Sequence, residues 1–149
     1  MGSIHDVLLT PLQQLKDERG KVMHMLRAND PHFIKFGEIY FSCINPNAIK
    51  AWNCHQEATS NLAVIHGEAR LVLYDEREQS ATRGVVQELV LGPSNYLLVT
   101  IPPGIWVGFR AHKNEAAIVA NCSTQTHRRE EALRRERNDP SIPYHWSEA

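Results

Sequence analysis

Short runs rich in β-branched and aromatic residues recur about every ten residues along most of this chain, separated by glycine, proline or polar loops. Such runs are typical of strands, because these side chains fit a pleated, half-buried surface. Strands are predicted at 21–26, 37–43, 49–55, 61–65, 68–74, 85–91, 96–101, 106–111 and 116–122, with an edge strand or arm at 4–15. This pattern indicates an all-β sandwich or barrel. A length of 149 residues predicts a single domain covering 1–149.

The stretch 49–74 is the most informative part of the pattern. A Trp-x-x-His sequence leads through a polar loop into two apolar runs. In the second run, Ala69, Leu71 and Leu73 are predicted to share one face of a strand, because successive side chains point to opposite sides. The residues between them are predicted to share the other face.

Residues 127–137 interrupt the β pattern with a dense run of charge. They are predicted to form a solvated surface helix. Glu130 and Glu131 stand four residues before Arg134 and Arg135, the spacing at which opposite charges pair along a helix.

The tail that follows, 138–146, is rich in aromatic and proline residues. Tyr144 and Trp146 are expected to pack back on the barrel, because large rings stabilise a fold when they are buried. The stretches 49–74 and 101–109 resemble the two halves of a cupin. The predicted fold class is therefore an all-β, cupin-type jelly-roll barrel with a short C-terminal helical segment.

Composition excludes several other classes of protein. The net charge of -1 gives no electrostatic footprint for nucleic acid. No run of about 18 apolar residues and no secretory signal is present, so no membrane association and a cytoplasmic location are predicted. Cys43, Cys54 and Cys122 are widely spaced and form no C-x-x-C pair, which favours reduced thiols over a disulfide or a zinc site.

A cupin metal centre would need His-x-His and a glutamate in the first half of the barrel, then one histidine in the second. Mixed ligands of this kind suit iron, manganese or zinc. The four positions hold Asn53, His55, Ser60 and Val107 in this chain. Because one ligand of four remains, no metal and no other cofactor is expected.

Further motifs follow one another along the chain. They are Asp17-x-Arg-Gly, Ile49-Lys-Ala-Trp, His66-Gly-Glu, Ile101-Pro-Pro-Gly, Gly108-Phe, Asn114-Glu-Ala and Asn138-Asp-Pro-x-Ile-Pro-Tyr-x-Trp. In this order they resemble the short, cupin-only members of the dTDP-4-dehydrorhamnose 3,5-epimerase family. The resemblance implies a homodimeric jelly roll with a nucleotide sugar in the barrel mouth. It also implies metal-free inversion beside a 4-keto group, by a histidine base with an aspartate partner and a tyrosine acid.

Mapped through this resemblance, the chain departs from the family at the reacting residues. The base histidine corresponds to Asn53 and the supporting aspartate to Asn114. An amide does not accept a proton at neutral pH. His55 shares a strand face with Asn53 and is predicted to be the substitute base, although a histidine held by hydrogen bonds in the barrel mouth is the alternative. Tyr96 and Tyr74 are candidate acids, although a tyrosine on a strand is more often a packing residue, and His112 is a second candidate proton carrier.

Several residues are predicted to bind the ligand. They are Arg19, Lys50, Trp52, Arg70, Trp106 and His112. Arg19 and Lys50 are candidate anion contacts, while Trp52 and Trp106 are either stacking rings or core residues.

Three functions are compatible with these residues. The favoured one is an epimerase or isomerase that acts on a 4-keto-6-deoxy sugar nucleotide with a relocated base. The second is a cupin that binds sugar nucleotides without catalysis. The third is a different reaction in the same barrel, such as that of a lyase, a cyclase or a metal oxygenase.

Overall fold

The computed structural model describes residues 2–147. Within them the chain forms twelve strands and one 3-10 turn, Arg129–Glu131, so the predicted all-β class is confirmed. The strands are β1 (Leu8–Pro11), β2 (Gln14–Asp17), β3 (Gly20–Met23), β4 (Glu38–Ile44), β5 (Ile49–His55), β6 (Ser60–His66), β7 (Ala69–Asp75), β8 (Val86–Leu91), β9 (Leu97–Ile101), β10 (Ile105–Ala111), β11 (Ala117–Ser123) and β12 (Ala132–Arg134). No helix in this part of the chain is long and apolar enough to cross a membrane.

Ten of these strands form two five-stranded antiparallel sheets. One sheet has the order β1-β9-β6-β11-β4, and the other has the order β12-β5-β10-β7-β8. Strands β2 and β3 form a separate hairpin. Because strands that are consecutive in the chain often lie in different sheets, the arrangement is the jelly roll that the sequence predicted.

Side chains from the inner faces of both sheets fill the space between them. Ala69, Leu71 and Leu73 of β7 are fully buried there, as the alternation predicted, and Val64 and Val119 of the opposite sheet join the same cluster. Truncating a buried leucine in such a core to alanine costs about 2–5 kcal/mol. This core fixes the two walls between which a cavity remains.

The outer face of β5, β7 and β10 carries a second cluster, which the C-terminal tail covers. Trp52 and Trp106 are buried in it together with Ile142. The Trp52 ring centroid lies 6.1 Å from that of Tyr144 and 5.4 Å from that of Trp146. The prediction that Tyr144 and Trp146 pack back on the barrel is therefore confirmed.

The helix predicted at 127–137 is wrong. The segment forms only the 3-10 turn and then strand β12, in which Ala132 and Arg134 lie opposite His55 and Asn53 of β5. Strand β5 offers its edge to this segment, and the backbone groups bond to that edge instead of to one another. Tertiary pairing thus overrides a local helix propensity, which is a weak preference.

Candidate active site

A cavity of about 750 Å³ opens between the two sheets. Its apolar lining comes from both sheets and includes Leu62, Val107, Phe109 and Val119. Among these stand polar side chains from both walls: Tyr40, Lys50, Asn53, His55, Asn121 and Arg134. An apolar cleft with a few convergent polar groups is the usual form of a small-molecule site.

Strand β5 supplies one polar wall of this cavity. Because side chains alternate along a strand, Asn53 and His55 line the cavity while Cys54 between them is buried in the outer cluster. The sequence correctly predicted that Asn53 and His55 share a face. The register places Val107 of β10 on one side of Asn53 and Arg134 of β12 on the other.

His55 is paired with a buried carboxylate. Its Nδ1 lies 2.6 Å from Oε1 of Glu131, whose side chain is 5% exposed, while the His55 side chain is 20% exposed. The second Glu131 oxygen, Oε2, accepts hydrogen bonds from the backbone N–H groups of Glu57 and Ala58, each at 2.9 Å. Since a carboxylate accepts, Nδ1 donates, and Nε2 of His55 is left as the ring nitrogen that can take up a proton.

The charge of Glu131 follows from these contacts. Burial by itself raises the pKa of Glu131, but hydrogen bonds from His55 and from the Ala58 and Glu57 amides outweigh it and lower the pKa to about 2. At neutral pH the group is a fixed anion. A fixed anion at Nδ1 orients the imidazole and stabilises the imidazolium that proton uptake would create.

The opposite wall carries a phenol held by an amide. Tyr40 of β4 faces Asn121 of β11 in register, and Asn121 Nδ2 donates a 2.7 Å hydrogen bond to the Tyr40 hydroxyl oxygen. Burial raises the pKa of Tyr40. The phenol is therefore protonated at neutral pH.

Cationic groups reach the cavity from β5 and from the neighbouring strand β12. Lys50 Nζ donates to Ser42 Oγ across the gap between the sheets at 3.1 Å, and Arg134 lines the β12 side. The side chain of the next residue, Arg135, is held by contacts within the protein. It makes two hydrogen bonds of 2.9 and 2.8 Å to Glu76, and its guanidinium carbon lies 4.1 Å from the Trp106 ring centroid.

Four of the predicted site residues line this cavity. They are Lys50, Trp52, Asn53 and His55. The Trp52 ring itself packs under the tail, and its Nε1 donates to the Arg137 carbonyl at 3.2 Å. Trp52 therefore occupies a core position, one of the two that the sequence left open for it.

The two other predicted members of the catalytic set lie elsewhere. Tyr96 is buried on the outer face of the β1–β4 sheet beside Ala63 and Leu98. Asn114 lies in the exposed turn between β10 and β11, where its backbone N–H donates to Nδ1 of His112 at 3.2 Å. His112 is exposed in the same turn, so neither reaches the cavity that His55 lines.

Three predicted binding residues also lie outside the cavity. Arg19 is at the tip of the β2–β3 hairpin, 84% exposed and paired with Asp17. Arg70 is on the outer face of β7, 3.7 Å from Glu88. Trp106 is buried in the outer cluster beneath the Arg135 guanidinium, because alternation along β10 turns it away from the inner face.

The sequence did not single out Glu131, Tyr40 or Asn121. Glu131 belonged to the predicted helix, where it was expected to pair with Arg135. Tyr40 lay in a predicted strand whose inner face the sequence does not reveal, and Asn121 lay in another. Within residues 2–147, no three histidine, cysteine, aspartate or glutamate side chains come together as a group that could hold a metal ion.

Known proteins share the sequence and the fold of this chain. The family model described as dTDP-4-dehydrorhamnose 3,5-epimerase matches residues 2–149. The chain belongs to this family. Among curated relatives, the probable low-salt glycan biosynthesis epimerase Agl13 of Haloferax volcanii is 32% identical over 146 residues, covering 97% of this chain and 90% of that protein. The spore coat polysaccharide biosynthesis protein SpsL of Bacillus subtilis is 32% identical over 107 residues, or 72% and 71% of the two chains.

Solved structures agree on the fold. The crystal structure of a dTDP sugar isomerase from Desulfovibrio desulfuricans G20 matches with a TM-score of 0.95 and 44% identity, covering 98% of this chain and 94% of that one. ChmJ, a 3'-monoepimerase from Streptomyces bikiniensis, matches with a TM-score of 0.86 at 15% identity, over 98% and 77% of the two chains. At that identity the second match supports the jelly-roll fold alone.

Proposed function

We propose that this protein is a nucleotide-sugar epimerase or isomerase that acts on a 4-keto-6-deoxy sugar nucleotide by metal-independent proton abstraction beside the ketone. The observation that carries the proposal is the His55–Glu131 pair in the cavity wall, with Nδ1 and Oε1 2.6 Å apart. It restores a histidine–carboxylate pair in a chain that has Asn53 where the family's base is expected.

The proposed chemistry uses the two ring nitrogens of His55 differently. Nε2 removes the acidic hydrogen beside the ketone, and Nδ1 keeps its hydrogen bond to Glu131 while the ring becomes positively charged. A positioned base of this kind contributes about 10²–10⁴-fold to the rate. Lys50 and Arg134 place positive charge on the same cavity, where it would stabilise the enolate or the diphosphate of the ligand.

A nucleotide sugar is the proposed ligand. The cavity of about 750 Å³ is within the range of small-molecule sites, and it combines apolar walls with cationic groups. The Desulfovibrio relative is described as a dTDP sugar isomerase. The structure of ChmJ was obtained in complex with dTDP-quinovose. These descriptions make a dTDP-linked sugar the first ligand to try.

The test is turnover of a panel of dTDP-linked 4-keto-6-deoxy hexoses, followed by NMR of the product's configuration. We expect the wild-type protein to convert at least one of them, and His55→Gln to lose about 100-fold or more of that activity. His66→Gln is a matched control, because His66 is exposed at the end of β6. No conversion of any member of the panel at high enzyme concentration would contradict the proposal.

A second candidate is binding without catalysis, which Asn53 at the expected base position favours. This candidate requires that the panel stabilise the protein without being converted. At a hundredfold excess of ligand over Kd, the stabilisation would be about 2.7 kcal/mol. Stabilisation together with turnover would reject it.

We also propose a homodimer, as the family resemblance implied. Strand β4 is the free edge of its sheet, and its outer face exposes Ile39 and Phe41 at 50% and 58%; nearby, Ile34 and Phe36 are exposed at 60% and 64%. A second copy of the chain would cover this surface. Light scattering should give a dimer mass for the wild type and a monomer mass for Phe41→Glu, and a wild-type monomer at micromolar concentration would overturn the assignment. The cytoplasmic location stays a prediction.

A further inference from the structure

Asn53 shares one face of β5 with His55 and is half-buried in the cavity wall. Two residues that are two positions apart on a strand have their Cα atoms about 6.6–6.8 Å apart. Within residues 2–147 the side-chain amide of Asn53 makes no hydrogen bond, whereas the side chains of Trp52 and His55 do. The Asn53 amide is therefore left to bond to whatever occupies the cavity.

Removal of a proton beside a ketone creates negative charge on the ketone oxygen. When the C–H bond breaks, its electron pair forms a carbon–carbon double bond and the carbonyl π pair moves to the oxygen. A hydrogen-bond donor at that oxygen binds the transition state more tightly than the ground state, which is the condition for catalysis. His55 supplies the base for this reaction, and a donor at the oxygen is the second group that it needs.

We infer that the side-chain amide of Asn53 binds the ketone oxygen of the substrate and stabilises the enolate, as a catalytic residue of this protein. The inference rests on the proposed function, because it assigns a second group in the same proton-abstraction site. An amide N–H donates a hydrogen bond, but the amide does not accept a proton at neutral pH. Asn53 is therefore suited to the ketone oxygen, although the family resemblance places the base at this position.

The spacing of the two side chains fits one ketone. The ketone oxygen and the carbon that loses its proton are separated by only two bonds. A hydrogen bond of about 2.9 Å from the Asn53 nitrogen to the oxygen is compatible with an approach of about 3–3.5 Å between His55 Nε2 and the carbon. A ligand that makes both contacts has its carbonyl group lying along β5.

The charges around the two side chains favour the same orientation. Arg134 of β12 lies opposite Asn53 in register and lines the cavity, while the buried carboxylate of Glu131 contacts His55. The oxygen is the negative end of the carbonyl dipole, so this field directs it towards Asn53 and directs the acidic hydrogen towards His55. On the other side of Asn53, Val107 is apolar and 7% exposed, and low polarity there strengthens a hydrogen bond.

Deuterium incorporation tests this role. A dTDP-linked 4-keto-6-deoxy hexose is incubated with the protein in D₂O, and NMR follows deuterium at the carbon beside the ketone. The proton goes to His55 Nε2, the imidazolium exchanges with D₂O, and the reverse step puts deuterium on the carbon and restores the ketone. In Asn53→Ala we expect kcat for incorporation to fall about 10²–10³-fold, as when a donor is removed from an oxyanion hole.

Binding of the same ligand is the companion measurement. The Kd for the sugar nucleotide should change less than about threefold in Asn53→Ala, because the hydrogen bond strengthens only as the charge develops on the oxygen. Asn114→Ala is a matched control, since Asn114 lies in the exposed turn between β10 and β11. We expect wild-type kcat and Kd for this control.

A second variant keeps the shape of the side chain. Asn53→Asp replaces the N–H donors by a carboxylate, which repels the negative enolate oxygen. We therefore expect it to lose at least as much kcat as Asn53→Ala, and it decides the case if the alanine variant fails to fold. Incorporation by Asn53→Asp at the wild-type rate would overturn the inference.

The contact can also be measured without turnover. In His55→Gln the bound ketone stays unconverted, and isotope-edited infrared spectroscopy of a substrate labelled with ¹³C at the ketone gives its C=O stretching frequency. A hydrogen bond to the oxygen weakens the double bond, so we expect a higher frequency in the His55→Gln, Asn53→Ala double variant than in His55→Gln. A purely structural role would not move this frequency, and equal frequencies would overturn the contact.

The outcomes distinguish this inference from the proposed function. Incorporation by Asn53→Ala within about threefold of an active wild type would overturn the role of Asn53 and leave the proposed function standing. A loss confined to Kd would also overturn it, because Asn53 would then bind the substrate and the transition state equally. A wild-type protein that incorporates no deuterium into any of the dTDP-linked ketones would overturn the proposed function itself.

Discussion

The two walls of the cavity hold their polar groups in different ways. On the β5–β12 wall, Glu131 is 5% exposed and accepts hydrogen bonds from His55 and from two backbone amides. On the β4–β11 wall, Tyr40 is 40% exposed at a free sheet edge, and one hydrogen bond from Asn121 holds it. The first wall fixes a charge and the second presents a neutral proton donor. In the proposed reaction, the base and the anion that supports it therefore both belong to the first wall.

Removing the negative charge of Glu131 should have the largest effect on activity. We expect Glu131→Gln to lower kcat by about 10²–10⁴-fold, because the imidazole loses both its orientation and the anion that stabilises its charged form. The Kd for the dTDP sugar, measured by calorimetry, should change little, since Glu131 faces His55 and backbone amides. Glu130→Gln is the control, because Glu130 is the exposed neighbour in the same turn. A kcat for Glu131→Gln within threefold of wild type would show that the carboxylate does not support the base.

The same carboxylate should make the protein sensitive to acid. Its pKa is lowered from 4.5 to about 2 in the folded protein, so the ionised form stabilises the fold above pH 4.5, and this contribution is lost as the pH falls towards 2. Between pH 5 and pH 2 we expect the unfolding free energy of the wild type to fall by about 2–3 kcal/mol more than that of Glu131→Gln. Urea titrations at several pH values measure this difference. Parallel curves for the two proteins would mean that Glu131 has an ordinary pKa.

The smallest effect on activity is expected from the ion pair of Arg135, the residue that follows β12. Arg135 pairs with Glu76, and both side chains are partly exposed, at 25% and 34%. Glu76→Gln should therefore cost about 0.5–1 kcal/mol of stability, visible as a small decrease in Tm. The kcat should change less than about twofold, because Glu131 is held by its own hydrogen bonds. A large loss of kcat would show that the position of His55 depends on the Arg135–Glu76 ion pair as much as on Glu131.

The fold was largely predictable because each strand carries its own local signal. Alternation along β7 correctly placed Ala69, Leu71 and Leu73 in the core. Alternation did not reveal the inner face of β4, where the apolar Ile39 and Phe41 face outward and the polar Tyr40 and Ser42 line the cavity. In a single sequence, an apolar strand face that is exposed looks the same as one that packs in the core.

The site was only half predictable, for a related reason. His55 could be found because it shares a strand face with Asn53. Its partner Glu131 is 76 residues away, in a segment whose charges favour a helix when it is considered alone. Tyr40 and Asn121 are 81 residues apart, and only the pairing of β4 with β11 brings them together. Long-range pairing of this kind leaves no mark in local composition.

In the proposed reaction His55 and Glu131 act as one unit, and a double-mutant cycle tests this coupling most directly. Rates of deuterium incorporation beside the ketone are measured for the wild type, His55→Gln, Glu131→Gln and the double variant. Groups that act as a unit are strongly non-additive. We therefore expect the double variant to be no more than about threefold slower than His55→Gln alone. A double variant whose loss of rate equals the product of the two single losses would contradict this coupling. Deuterium incorporation by His55→Gln at the wild-type rate would contradict it as well.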